Sequence, residues 1–108
     1  SQTSFRETTF QNCKLLGVPF DHCNPFLLAF SFKNCNLSLA CFAGLSLKKT
    51  VFDGCNLHET DFTETDLSGA SFQACDLKRA IFYRTNLENA DFRHATNYII
   101  DPNNNRLK

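Results

Sequence analysis

Six cysteines, three histidines and eleven acidic side chains are the residues of this 108-residue chain whose chemistry could serve catalysis or metal binding. No C-x-x-C pair occurs, and His22 beside Cys23 falls short of the four ligands that a structural zinc ion takes. Neither a metal site nor a cofactor is expected. A general base must lie within hydrogen-bond reach of its partner, and His22, His58 and His94 share no fixed spacing with an acid or nucleophile, so they read as solvated surface residues. G-x-S-x-G, P-loop and H-E-x-x-H patterns are missing as well, so no catalytic residue is assigned and the chain reads as non-enzymatic.

The cysteine spacing points to a scaffold instead. Cys35, Cys55 and Cys75 recur at a fixed interval, and Cys13 joins them once two extra residues are allowed. From Phe32 to Phe92 every fifth residue is a large apolar one, with Phe and Leu alternating strictly. Neither a helix of period 3.6 nor a strand of period 2 holds such a register. Two positions before each centre stands a smaller residue: Thr50, Cys55, Thr60, Thr65, Ala70, Cys75, Ala80, Thr85 and Ala90. Each five-residue unit is therefore expected to bury two side chains. The same period runs through Phe5, Phe10, Leu15 and Phe20, then slips by two residues within 21–30.

The units ETDFT, ETDLS, GASFQ, ACDLK, RTNLE and NADFR resemble the A(D/N)LXX pattern of the pentapeptide-repeat family. That resemblance implies an all-β fold, a right-handed quadrilateral (four-sided) parallel β-helix with four units in each 20-residue coil. Residues 1–97 would form the β-helix, with its register slip at 21–30, and 98–108 a C-terminal cap or dimerisation tail. Residues 20 apart should then stack: Phe10, Phe32, Phe52, Phe72 and Phe92 in one ladder, Phe20, Phe42, Phe62 and Phe82 in another. At the spacing of hydrogen-bonded strands, roughly five coils make a rod about 25 Å long. Cys13, Cys35, Cys55 and Cys75 fall in the small inward slot, where a thiol acts as a small hydrophobe. Cys23, in the slip, and Cys41, at an outward position, are the thiols expected to react.

Function is then sought on the outward residues. Asp53, Glu59, Asp61, Glu64 and Asp66 make one coil acidic, and Lys78, Arg79 and Arg84 make the next more basic. One reading is a mixed surface with cross-coil pairs such as Glu59 to Arg79 and Glu64 to Arg84, each contributing about 0–1 kcal/mol. The other is partner recognition. Leu16, Phe26, Leu28 and Leu39 add a candidate apolar patch near the slip, open equally to packing and to partner contact. The tail NYIIDPNNNRLK breaks the pattern, with Asn97 where a Leu is due and Asp-Pro before three Asn reading as a turn. Tyr98, Ile99 and Ile100 are candidates to cover the last layer or to form a dimer contact.

This tail resembles the branch of the family that holds microcin-immunity and quinolone-resistance proteins. The resemblance implies homodimerisation through the C-terminal end and a DNA-mimicking rod that binds a type II topoisomerase such as DNA gyrase. Eleven basic residues balance eleven acidic ones, so no global field selects a polyanion or an anionic membrane. Direct nucleic-acid binding is not expected, because Tyr83 alone stands among Lys78, Arg79 and Arg84. No apolar run approaches the roughly 20 residues of a membrane span, and no signal peptide is recognisable. A cytoplasmic protein-interaction scaffold of unknown partner is the leading expectation, and the chain's start at Ser1 reads as processed or partial.

Overall fold

The computed structural model describes residues 8–22 and 30–108. The alternation of inward and outward residues keeps every stretch of extended chain short, because a turn follows each centre. Among the described residues three segments qualify as strands: β1 (Thr8–Gln11), β2 (Phe30–Lys33) and β3 (Val51–Asp53). They pair in parallel in the order β1-β2-β3, Phe10 beside Phe32 and Phe32 beside Phe52.

Elsewhere the strands shrink to single bridges, and these fall into four columns. One runs Lys14, Asn36, Asn56, Asp76 and Thr96; a second Pro19, Cys41, Asp61 and Ile81; a third Ser46, Asp66, Asn86 and Arg106. The fourth continues the strands through Val51, Ser71 and Asp91. Partners stand 22 residues apart across the first coil and 20 apart in every later one, so the slip adds two residues without disturbing the stack. The fold is a parallel β-helix.

Two hydrogen-bond patterns recur along the stack. The centre's N–H donates to the next coil, as Phe62 does to the Ile81 carbonyl (2.9 Å) and Leu67 to that of Asn86 (2.8 Å). The turn closes locally, as when Thr65 N–H donates to the Phe62 carbonyl (3.2 Å). This turn requires positive φ at the second residue after the centre, which Gly meets at 17, 44, 54 and 69, but Leu39 (63°), Glu59 (57°), Glu64 (55°), Arg79 (62°) and Arg84 (52°) adopt it too. A left-handed non-glycine residue costs about 1–2 kcal/mol. The axial bonds offset that cost, since Glu59 and Glu64 also donate their N–H to the coil beyond, at 2.9 and 2.8 Å.

The residue before each centre explains the D/N of the repeat. Its carboxylate or amide oxygen accepts the N–H two residues on, as Asn36 does from Ser38 (3.0 Å), Asp61 from Thr63 (2.9 Å) and Asp66 from Ser68 (3.0 Å). Such Asx turns mimic a backbone turn and hold the corner.

The centres fill the interior. Phe32, Phe42, Phe52, Phe62 and Phe72 are fully buried, with Leu37, Leu57, Leu67 and Leu77 beside them. Within each Phe ladder the rings stack nearly parallel, 5.3 Å apart for Phe32 and Phe52 and 5.5 Å for Phe42 and Phe62. Between ladders they meet edge-to-face, at 5.8 Å for both Phe42–Phe52 and Phe52–Phe62. Each such pair adds about 0.5–1.5 kcal/mol beyond area burial. Phe30 fills a slot meant for a small residue and packs edge-on against Phe10 (5.2 Å) and Phe32 (6.1 Å), the structural role that the slip allows for. Cys23, Phe26 and Leu28 lie outside the described residues. Among the described residues no helix is long and apolar enough to cross a membrane.

Phe62→Ala is expected to cost about 3–5 kcal/mol in denaturant melts, the range for a buried aromatic ring. Phe92→Ala, at a half-buried position, is expected to cost less. A loss below about 1 kcal/mol at Phe62 would mean that the ladder packs loosely.

Candidate functional site

The small inward slot proves to be a hydrogen-bonding position. Thr60 Oγ1 donates to the Leu37 carbonyl (2.9 Å), Thr65 Oγ1 to that of Phe42 (3.0 Å) and Thr85 Oγ1 to that of Phe62 (2.7 Å). The thiols do the same: Cys35 to Phe10 (3.2 Å), Cys55 to Phe32 (3.5 Å) and Cys75 to Phe52 (2.9 Å). A thiol here is more than the small hydrophobe expected, because it donates to a carbonyl of the preceding coil. Cys35, Cys55 and Cys75 are free and buried, while Cys13, at the first coil, is half-buried. Burial pushes Cys35 above the usual thiol range, and the neighbouring Cys55 thiol together with burial keeps Cys75 protonated.

Cys41 corrects an expectation. It stands outward in the bridge column of Asp61, with its thiol 4.0 Å from Asp61 Oδ2. Partial burial raises its pKa, and the Asp21 and Asp61 carboxylates raise it further, which lowers its thiolate fraction, while it stays more accessible than the buried Cys35, Cys55 and Cys75. His58 corrects another. Its Nε2 lies 2.6 Å from Asp76 Oδ2, one coil away, so it is paired rather than simply solvated. Asp76 also accepts from Asn97 Nδ2 (2.9 Å) and Lys78 N–H (3.2 Å). The Asn97 and His58 contacts hold the Asp76 carboxyl below the usual carboxylate range. This pair has the geometry of an oriented imidazole, and its visible role is to tie Asn97, where the repeat ends, to the stack.

The acidic residues ring the coil. Asp61 and Asp66 belong to the second and third bridge columns, Asp53 follows the fourth and Glu59 follows the first, with Glu64 two residues beyond Phe62. They leave the coil on different sides. Asp61 and Asp66 are half-buried and engaged in their Asx turns, whereas Glu59 and Glu64 are exposed. Arg84 Nη1 reaches Glu64 at 3.9 Å as expected, but Glu59 to Arg79 is not among the ion pairs of the described residues. Lys48–Asp66 (3.9 Å) and Arg106–Glu88 (3.1 Å), not foreseen, are. Leu16 and Leu39 are exposed at 60% and 55%, so neither packs into the core.

At the C-terminal end the three candidates separate. Tyr98 lies over Phe92 (5.0 Å between rings) and Ile100 packs against the core, but Ile99 is 86% exposed. Sequence reasoning missed the return of the last residues to the stack. Asn105, Arg106 and Leu107 rejoin the register of Thr85, Asn86 and Leu87, with Arg106 bridged to Asn86. Asn105 takes the inward-donor slot and its Nδ2 donates to the Phe82 carbonyl (3.0 Å), as a Thr or Cys does elsewhere. The 20-residue spacing from Thr85 was the available signal.

The family model of the pentapeptide repeat region matches residues 27–97. The chain belongs to the pentapeptide-repeat family. Among solved structures this pentapeptide-repeat protein is similar to full-length QnrB1, a plasmid-mediated fluoroquinolone resistance protein, at 23% identity and a TM-score of 0.57. The alignment covers 82% of this chain and 48% of QnrB1, so the chain spans about half that protein's length. It is also similar to Rfr23 from the cyanobacterium Cyanothece 51142, at 20% identity over 93% of this chain and 91% of that one, with a TM-score of 0.43. HetL, a pentapeptide-repeat protein involved in heterocyst differentiation regulation from the cyanobacterium Nostoc, aligns at 22% identity over 82% of this chain and 44% of its own, with a TM-score of 0.42. No curated protein matches.

Two measurements test the inward column and the Asp76 pair. Native thiol labelling should modify Cys13 well before Cys35, Cys55 and Cys75, and Cys41 should lag behind Cys13; equal rates at all of them would contradict the inward column. Because the Asp76 pKa is depressed in the folded state, its stabilisation is present above the ordinary carboxylate range and lost as pH falls through the depressed value. Asp76→Asn should therefore flatten the dependence of melting on pH in the acid range, and an unchanged profile would assign that dependence to other carboxylates.

Proposed function

We propose that this protein is a non-enzymatic binding scaffold for a protein partner, built as a right-handed, four-sided β-helix. The four bridge columns in each 20-residue coil support the four-sided form. The observation that carries the reading is the closed interior: fully buried Phe and Leu ladders leave the outward side chains as the recognition surface. Exposed Glu59 and Glu64 and the apolar Leu16 and Leu39 are its candidate contacts, with Asp53, Asp61 and Asp66 between them. Reversing Glu59 and Glu64 to Lys should change what the protein captures from a native lysate while keeping stability within about 0.5 kcal/mol, as surface changes do. Capture indifferent to every outward charge reversal would sink the reading.

A topoisomerase partner is the second reading, favoured by the tail's resemblance and by the likeness to QnrB1. A DNA mimic needs an extended anionic face in place of phosphates. The acids here leave the coil beside four different columns, which favours the general scaffold. DNA gyrase supercoiling with a fluoroquinolone present separates the two: the scaffold reading expects no protection, and protection would favour the topoisomerase.

A two-fold contact through the C-terminal end belongs to the same proposal, with Ile99 as its exposed apolar contact. Ile99→Asp should abolish dimers in light scattering without lowering stability, whereas Ile100→Asp should destabilise the fold by placing a charge against the core. A wild-type chain that stays monomeric at high concentration would leave Tyr98 and Ile100 as a cap alone.

A further inference from the structure

Several departures from the repeat gather around Phe82. The residue before a centre is Asn or Asp, holding the turn, at 36, 56, 61, 66, 76, 86 and 91, but Ile81 stands there before Phe82 and is 45% exposed, as Val51 does before Phe52 at 41%. Tyr83, on the other side of buried Phe82, is 44% exposed, and the Arg84 guanidinium lies 5.3 Å from its ring centre. The turn itself is split. The Asn105 carboxamide stands between two groups that bond each other directly in neighbouring units, accepting from Thr85 N–H (3.0 Å) and donating to the Phe82 carbonyl (3.0 Å). The Asp101–Asn104 turn is fastened beside it: Asn104 Nδ2 donates to Asp101 Oδ2 (2.6 Å), and Arg84 N–H to the Asn104 carbonyl (2.7 Å). Between this turn and the coil lies a shallow, open cleft lined by Arg84, Arg106, Asn86, Asn103 and Asn104.

An exposed isoleucine in a turn-holding slot and a split turn gain nothing from core packing, and such breaks of local consistency concentrate at functional sites. Tyr and Arg are also the residues that dominate protein-binding hot spots. Resting on the scaffold reading, we propose that Ile81, Tyr83 and the adjoining cleft form a docking site for a protein segment that carries an apolar side chain next to a carboxylate. The apolar side chain covers Ile81 and Tyr83. The carboxylate enters the cleft and takes the guanidiniums of Arg84, which Glu64 holds only at 3.9 Å, and Arg106, whose Nε alone is bonded to Glu88 (3.1 Å). Planar, charge-assisted pairing suits guanidinium to carboxylate. Hydrogen bonds already fix the turn, so binding asks only that the two guanidiniums share or leave Glu64 and Glu88.

The probe is N-acetyl-leucyl-aspartate amide, titrated into the full chain and followed by backbone amide shifts. Saturable shifts confined to residues 81–86 and 103–106 are expected, with affinity reduced about tenfold by Arg84→Ala and by replacing the probe's aspartate with asparagine. Tyr83→Ala should weaken binding without altering thermal melting. The proposal is overturned by shifts that do not saturate or that spread over the surface, by equal binding of the asparagine probe, or by site shifts that depend on protein concentration alone, which would seat a second copy there. Failure of the probe, with the lysate capture still sensitive to Glu59 and Glu64, removes this site and leaves the scaffold reading standing.

Discussion

The axial hydrogen bond from each centre to the coil beyond is the interaction on which the rest depends. It sets the coil-to-coil spacing, and at that spacing identical side chains one coil apart come into van der Waals register. The two Phe ladders result from it: rings in one ladder stack parallel at 5.1–5.5 Å along Phe10 to Phe92, and the second ladder interleaves edge-on. Left-handed turn residues such as Leu39, Glu59, Glu64 and Arg84 are tolerated for the same reason, because their N–H groups also join the axial network. The core of such a solenoid is built from contacts between successive coils, so each coil depends on the next.

The inward donors add a second axial link that composition hides. Thr, Cys and finally Asn share one geometric task, donating a hydrogen bond to a backbone carbonyl of the coil before. That explains why residues of such different chemistry alternate with Ala in the small slot. It also changes the meaning of the cysteine column: regular spacing and burial describe structural thiols, with Cys75 held protonated.

The surface obeys different physics. Much of the apparent negative charge is structural, since Asp61, Asp66, Asp76 and Asp91 each accept a backbone N–H two residues on. Exposed ion pairs contribute little singly. The side chains that these turns leave uncommitted, Glu59 and Glu64 among the acids and Ile81 and Tyr83 beside Phe82, are exposed on the outer face.

The amino-acid sequence by itself determined the five-residue period and its two buried residue classes; the family resemblance added the 20-residue coil, and with it the two aromatic ladders, because residues one coil apart then share a wall. The sequence also marked the slip after Phe20 and the break at Asn97. Tertiary structure decided what no period encodes. His58 and Asp76 are 18 residues apart and meet only because the wall brings one coil beside the next. The raised pKa of Cys41 comes from burial first and then from carboxylates of two other coils, Asp21 and Asp61. Asn105 re-enters the register after an irregular turn whose path only three dimensions define. Local pattern fixes which side chains point inward, whereas partners on the outer face are chosen by side-chain length and rotamer across coils, which sequence spacing does not carry.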